Sequence, residues 1–142
     1  MAAMNWLFWA VLSAFFAGVT AVLAKVGVAG VDPNLATAVR TSVVIVFTWA
    51  IALATNRPGA VLELSRKTWV FLAFSGLATG LSWLCYFRAL QIGEAARVAP
   101  VDKLSVVFAM ALAVLVLHER LSWVQCAGGL MIVAGAIVLA WG

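Results

Sequence analysis

Charge is scarce in this sequence. Of its 142 residues only 10% are Asp, Glu, Lys or Arg, with five acids against nine bases. A soluble domain of this size carries about a quarter charged residues and is about half apolar. This chain is 66% hydrophobic, with a mean hydropathy of +1.14. So few polar side chains cannot cover a water-facing surface, which excludes a water-soluble globule and makes the bilayer the solvent. Cysteine is scarce too. Cys85 and Cys126 both lie inside hydrophobic runs, where they build neither a disulfide framework nor a metal-ligand set. Packing is their expected role. His118 is the one histidine and stands alone in HERLS. No nucleophile with a base, no paired carboxylates and no phosphate-binding loop is found. Catalytic residues, a metal site and a cofactor are therefore not expected, and the chain does not read as an enzyme. The net charge of +4 and pI of about 9.7 come from bases scattered singly. They form no stripe and no aromatic platform, so nucleic acid is not an expected partner. Membrane lipids with anionic headgroups are, together with a charge bias between the two sides.

What is present is long hydrophobic runs. A membrane helix needs roughly 20 apolar residues at about 1.5 Å each. Five such runs are read at 6–29, 35–55, 69–91, 98–117 and 122–141. A barrel would need alternating polarity and turn signals about every ten residues, and neither is seen. The expected fold class is all-α, an integral membrane bundle of five transmembrane helices, a multi-pass protein. No loop has room for a soluble domain; the longest is NRPGAVLELSRKT at 56–68. The first run is too long and continuous for a cleaved signal peptide. Trp6, Trp69 and Trp123 open spans and Trp141 closes the last, as suits rings at headgroup level. Trp9 and Trp49 also lie near span ends, whereas Trp83 lies deeper.

Five spans put the termini on opposite sides. The side of the amino terminus carries Arg57, Arg66, Lys67 and Arg120. The other side carries Lys25, Arg40, Arg88, Arg97 and Lys103. Over all bases the bias nearly vanishes. Four of the second set lie within spans, however, and loops alone make the amino-terminal side cytoplasmic. One fixed orientation and a mixture of both remain open.

Depth is more telling than count. Lys25, Arg40, Arg88, Asp102 and Lys103 all fall some 5–8 Å, or about four residues, inside the same surface. Ionisable groups at such depth are costly and usually face a bundle interior or a wet cavity. Long Lys and Arg stems can instead snorkel to the headgroups, and for Lys25, Arg88 and Lys103 both readings stand. Arg40 lies among Thr37, Thr41 and Ser42. Asp102 cannot snorkel far and needs a cation. Lys103 is a poor one, because neighbours on a helix point about 100° apart. If this layer of four bases and one acid lines a cavity, the cavity suits an anionic or zwitterionic solute. Trp83 and Tyr86, three apart, are candidates for one wall, or for plain packing.

Pro100 heads this stretch in APVDK. Two readings are open. The fourth helix simply starts here, since proline suits a first turn and Asp102 suits the positive end of the dipole. Alternatively the helix is broken here and its freed backbone lines a cavity. The fifth run, QCAGGLMIVAGAIVLAWG, repeats Gly128, Gly135 and Gly142 every seven residues, with Gly129 and Ala136 beside them. Small residues on one face let helix backbones approach, so a helix interface is expected within the chain or between two chains. Ala14 with Gly18 and Gly76 with Gly80 are weaker signals. Glu119 is expected to cap the fifth helix, and Glu94 and Arg97 to be interfacial charges.

Three segments carry a family likeness: AGVTAVLAKVGVAGVDPNLATAVRT, WLCYFRALQIGEAARVAPVDKLS and HERLSWVQCAGGLMIVAGAIVLAW. Together they resemble the EamA domain of the drug/metabolite transporter superfamily, in its half-length form with a single repeat. The resemblance implies one EamA-like five-helix transmembrane domain over 1–142. It also implies movement of small metabolites without saying which. Full-length relatives carry two repeats inverted about the membrane plane, and this chain looks like one half. The glycine spacing of its last helix is similar to that of the small multidrug resistance proteins. Those depend on a carboxylate in the first span, where this chain has only Lys25, so their proton-coupled mechanism does not carry over. The expected function is secondary transport of a small polar metabolite across a bacterial inner membrane by alternating access. A homodimer is expected, antiparallel if it is to reproduce a full-length relative; a parallel dimer and a heterodimer stay open. Movement of a lipid-linked headgroup and a non-transporting membrane subunit are the alternatives.

Overall fold

The computed structural model describes residues 2–57 and 59–142, with side chains from Trp6 onward. Among these residues there are six α-helices and one short 3-10 helix. The α-helices are α1 (Ala2–Gly27), α2 (Pro33–Thr55), α3 (Arg66–Ile92), α4 (Ala95–Asp102), α5 (Ser105–Leu117) and α6 (Trp123–Trp141). Five segments are long and apolar enough to cross a membrane, α4 and α5 counting together as Ala95–Leu117. The chain is therefore an all-α, five-span, multi-pass membrane protein. Each span ends within three residues of its expected place. Trp6, Trp69, Trp123 and Trp141 are all exposed at span ends, as a headgroup-level ring should be.

Two compact units divide the chain. One joins α1 as far as Val26 to Ile92–Gly142, and the other is Gly27–Gln91. In the second unit, α2 starts where Asp32 caps it. Its Oδ1 accepts from the backbone N–H of Asn34 and Leu35, both at 3.0 Å. Pro33 fills the first helical position, where its missing N–H leaves no bond unmade. The hydroxyls of Thr37, Thr41, Ser42, Thr48 and Thr55 each donate to the carbonyl four residues back. That is how a polar side chain stays satisfied on a helix with no water beside it. Buried residues of this unit, Val28, Pro33, Thr37, Phe87 and Leu90, gather at the end where α2 begins and α3 finishes. The α2–α3 loop carries the 3-10 helix Ala60–Glu63, entered through Gly59 at φ 87°, a left-handed value open to glycine. Pro58 of this loop lies outside the described residues.

In the first unit, α4 packs along α6, and Gly129 and Ala136 are the buried residues of α6. A methyl on Gly129 would stand 3.4 Å from Sδ and Cε of Met110 on α5. The packing face is thus Gly129 with Ala136. Among the described residues nothing lies within 4 Å of a Cβ built on Gly128 or Gly135. The same is true at Gly18, Gly76 and Gly80. Cys126 is half-buried, but Cys85 is exposed, which corrects its expected packing role.

Glu119 does not cap α6. Ser122 does, as half of a capping box. Its Oγ accepts from the Gln125 N–H at 3.2 Å, and the Gln125 side chain accepts from the Ser122 N–H at 2.8 Å. Serine and glutamine three apart can exchange both bonds, whereas Glu119 lies outside the helix, its own N–H donating back to the Ala113 carbonyl of α5 at 3.1 Å. α5 ends at His118, whose φ of 55° is the left-handed stop common at helix ends.

The start of the fourth span also differs from expectation. Its helix begins at Ala95, with Pro100 in its interior. The break is real but falls three residues later, at Lys103–Leu104. An interior proline withholds one ladder bond and crowds the carbonyl four residues back, so the ladder is weakened without stopping at the proline itself.

Candidate functional site

Arg40 is the centre of what the second unit brings together. Its guanidinium carbon stands 4.2 Å from the centroid of the Trp83 ring and 5.5 Å from that of Phe87. Trp83 and Phe87 are four residues apart on α3 and so share one helix face. Phe87 is 3% exposed and forms a fixed wall, while Arg40 and Trp83 remain half-open. Among the described residues no carboxylate lies within ion-pair distance of Arg40. An aromatic face attracts the cation through its quadrupole, yet it takes up none of the guanidinium's N–H donors. The arrangement holds a cation in a membrane span and leaves it able to bind an oxyanion. Phe87 went unnoticed in the sequence, although its spacing from Trp83 was the available signal.

Arg88 points elsewhere. Its Nη1 donates to Oε1 of Gln91 at 2.8 Å, and Nε2 of Gln91 donates to the Val31 carbonyl at 2.9 Å. The Gln91 amide thereby ties the α1–α2 turn to the end of α3 and holds Arg88 beside it. Gln91 was likewise missed, its three-residue spacing from Arg88 being the only hint. Tyr86 is half-buried on α3, three residues from Trp83.

The first unit holds the other charges. Lys25, in the last turn of α1, donates to the Gly93 carbonyl at 2.8 Å. It thereby satisfies a backbone acceptor in the α3–α4 turn, which in an apolar setting would otherwise cost several kcal/mol, about the value of a lost hydrogen bond. Asp102 and Lys103 do pair, Oδ2 to Nζ at 3.2 Å, against the expectation from helix geometry. Lys103 closes α4 at φ −69° and ψ −9°, still right-handed helical values, so it is the reach of the flexible lysine stem that spans the offset between helical neighbours. Glu94 and Arg97 form a second pair at 3.5 Å, both well exposed, as interfacial charges would be.

The sequence as a whole has recognisable relatives. The profile of the EamA-like transporter family matches residues 4–141. A protein of Sinorhizobium sp named "Uncharacterized transporter in cobO 3'region" is 52% identical over 136 residues, which is 96% of either chain. No solved structure matches this chain. The match runs from the first span to the last and agrees with the five apolar helices, so the chain belongs to the EamA-like transporter family of multi-pass membrane proteins.

Proposed function

We propose that this protein is a secondary transporter of a small anionic or zwitterionic metabolite across the bacterial inner membrane, working as a dimer by alternating access. The observation that carries the substrate class is Arg40, held over Trp83 at 4.2 Å with no carboxylate pairing it among the described residues. A carboxylate or phosphate on the solute would meet the guanidinium edge, with Trp83 and Tyr86 as one wall. Lys25, Arg88, Asp102 and Lys103 take the gating role. Each has a partner in the chain that binding or a change of state would have to exchange. Pro100 sets the break beside the last two. The dimer would use the open Gly128 and Gly135 face of α6, and Gly129 stays with packing inside the chain.

The test is thermal stability of purified protein against a panel of anionic, zwitterionic, cationic and lipid-phosphate compounds, with Arg40→Gln and Arg40→Lys beside the unaltered chain. Stabilisation by an anionic or zwitterionic solute is expected, lost in Arg40→Gln and weakened in Arg40→Lys, because an ammonium cannot form the two-pronged contact. Stabilisation by lipophilic cations alone would overturn the substrate class. A response to lipid phosphates alone would favour a lipid-linked headgroup, and no response a membrane subunit.

A further inference from the structure

The fourth span is built in two pieces that are held differently. Pro100 is the sixth residue of α4 and has no N–H to give the Ala96 carbonyl. Beyond it the bonding tightens. Lys103 and Leu104 donate to the carbonyls of Pro100 and Val101 at 3.1 and 3.0 Å. Val106 and Val107 donate to those of Lys103 and Leu104 at 3.0 and 2.9 Å. All four bonds have three-residue spacing, so the pieces meet in a 3-10 joint, whose bonds are poorer than an α-helix's.

Either side of the joint the packing changes. α4 lies close along α6, whereas α5 approaches α6 at few places, one of them where Met110 covers Gly129. No residue of α5 is buried. The Asp102–Lys103 pair joins neighbours in sequence and braces α5 against nothing. At Gly129 the contact is made by the flexible end of a methionine on a residue without a side chain, a surface that slides at little cost.

We infer that Lys103–Leu104 is a hinge, about which α5 changes its tilt while α4 stays seated on α6, with Met110 on Gly129 as the pivot. The motion is read from bond spacing and packing alone. Only its service to alternating access rests on the transporter reading.

The experiment uses the full chain in lipid nanodiscs, with Cys85 and Cys126 changed to serine. Spin labels are placed at Leu115 and Leu130, both 71% exposed, on α5 and α6. A broad or two-component distance distribution is expected. Pro100→Ala, which restores an N–H, should narrow it to one component. The same substitution should slow amide exchange at residues 103–107 by about tenfold, the effect of roughly one helix hydrogen bond. Gly129→Leu, whose branched side chain runs into Met110, should shift the distribution to longer distances and serves as the second arm if Pro100→Ala does not fold. A single narrow distribution in the unaltered chain would overturn the hinge. So would a broad one that neither substitution changes. No ligand is involved, so a chain that bends but binds nothing would leave the hinge standing and remove the transport reading.

Discussion

Arg40 shows how one side chain is made tolerable inside a membrane without being neutralised. A paired carboxylate would have cancelled it. An aromatic face instead contributes about 0.5–2 kcal/mol, towards the upper end where water is excluded, and leaves the edge donors in place. A double-mutant cycle on Arg40→Gln and Trp83→Leu, read by chemical unfolding in detergent, should therefore give a coupling of about 0.5–2 kcal/mol. A coupling near zero would mean that the ring and the guanidinium act separately. Arg40 and Trp83 were both legible in the sequence, one as a charge among small polar residues and the other as an aromatic too deep for the interfacial belt. Their contact was not, since it joins α2 to α3 across more than 40 residues. Lys25 illustrates the opposite case. Its depth was readable, but its partner is a backbone carbonyl, which leaves no trace in residue identity.

At the scale of elements, helix ends are set by local chemistry that a short stretch of sequence contains in full. Asp32 before Pro33 starts α2, and Ser122 with Gln125 starts α6. Ser122→Ala should cost about 1 kcal/mol, seen as a lower unfolding temperature by circular dichroism. Glu119→Ala, outside the box, should leave that temperature in place. Both signals are in plain view, although an acid near a helix start is so commonly a cap that Glu119 competes with them. The α4–α5 break was harder to place. Pro100 announces a weakness, but where the ladder yields depends on which half is clamped by a neighbour. α6 clamps α4, so the joint moved three residues downstream.

The whole molecule divides the glycines of α6 between two tasks. Gly129 and Ala136 are buried, whereas a Cβ on Gly128 or Gly135 would meet nothing within 4 Å among the described residues. Gly129→Leu should collide with Met110 and lower the unfolding temperature of the chain itself. Gly135→Leu should leave that temperature alone and reduce the dimer fraction, measured by energy transfer between labelled copies in vesicles. If Gly135→Leu changed neither, a dimer through this face would be ruled out. Orientation belongs to the same scale. Reporter fusions at each terminus, read from both sides of the membrane, should each give signal from both if the dimer is antiparallel. Signal from one side only would exclude that arrangement.

Sequence alone determined the solvent, the number of spans and their ends to within a few residues, because those follow from composition and from run length against bilayer thickness. It also marked every charge that the membrane makes costly. Tertiary structure decided what each charge does. Asp102 turned to its own neighbour, Lys25 to a carbonyl far along the chain, and Arg40 to a pair of rings. It also decided which of two adjacent glycines packs. Spacing along a helix fixes which residues share a face, but only the neighbouring helix settles which face is covered.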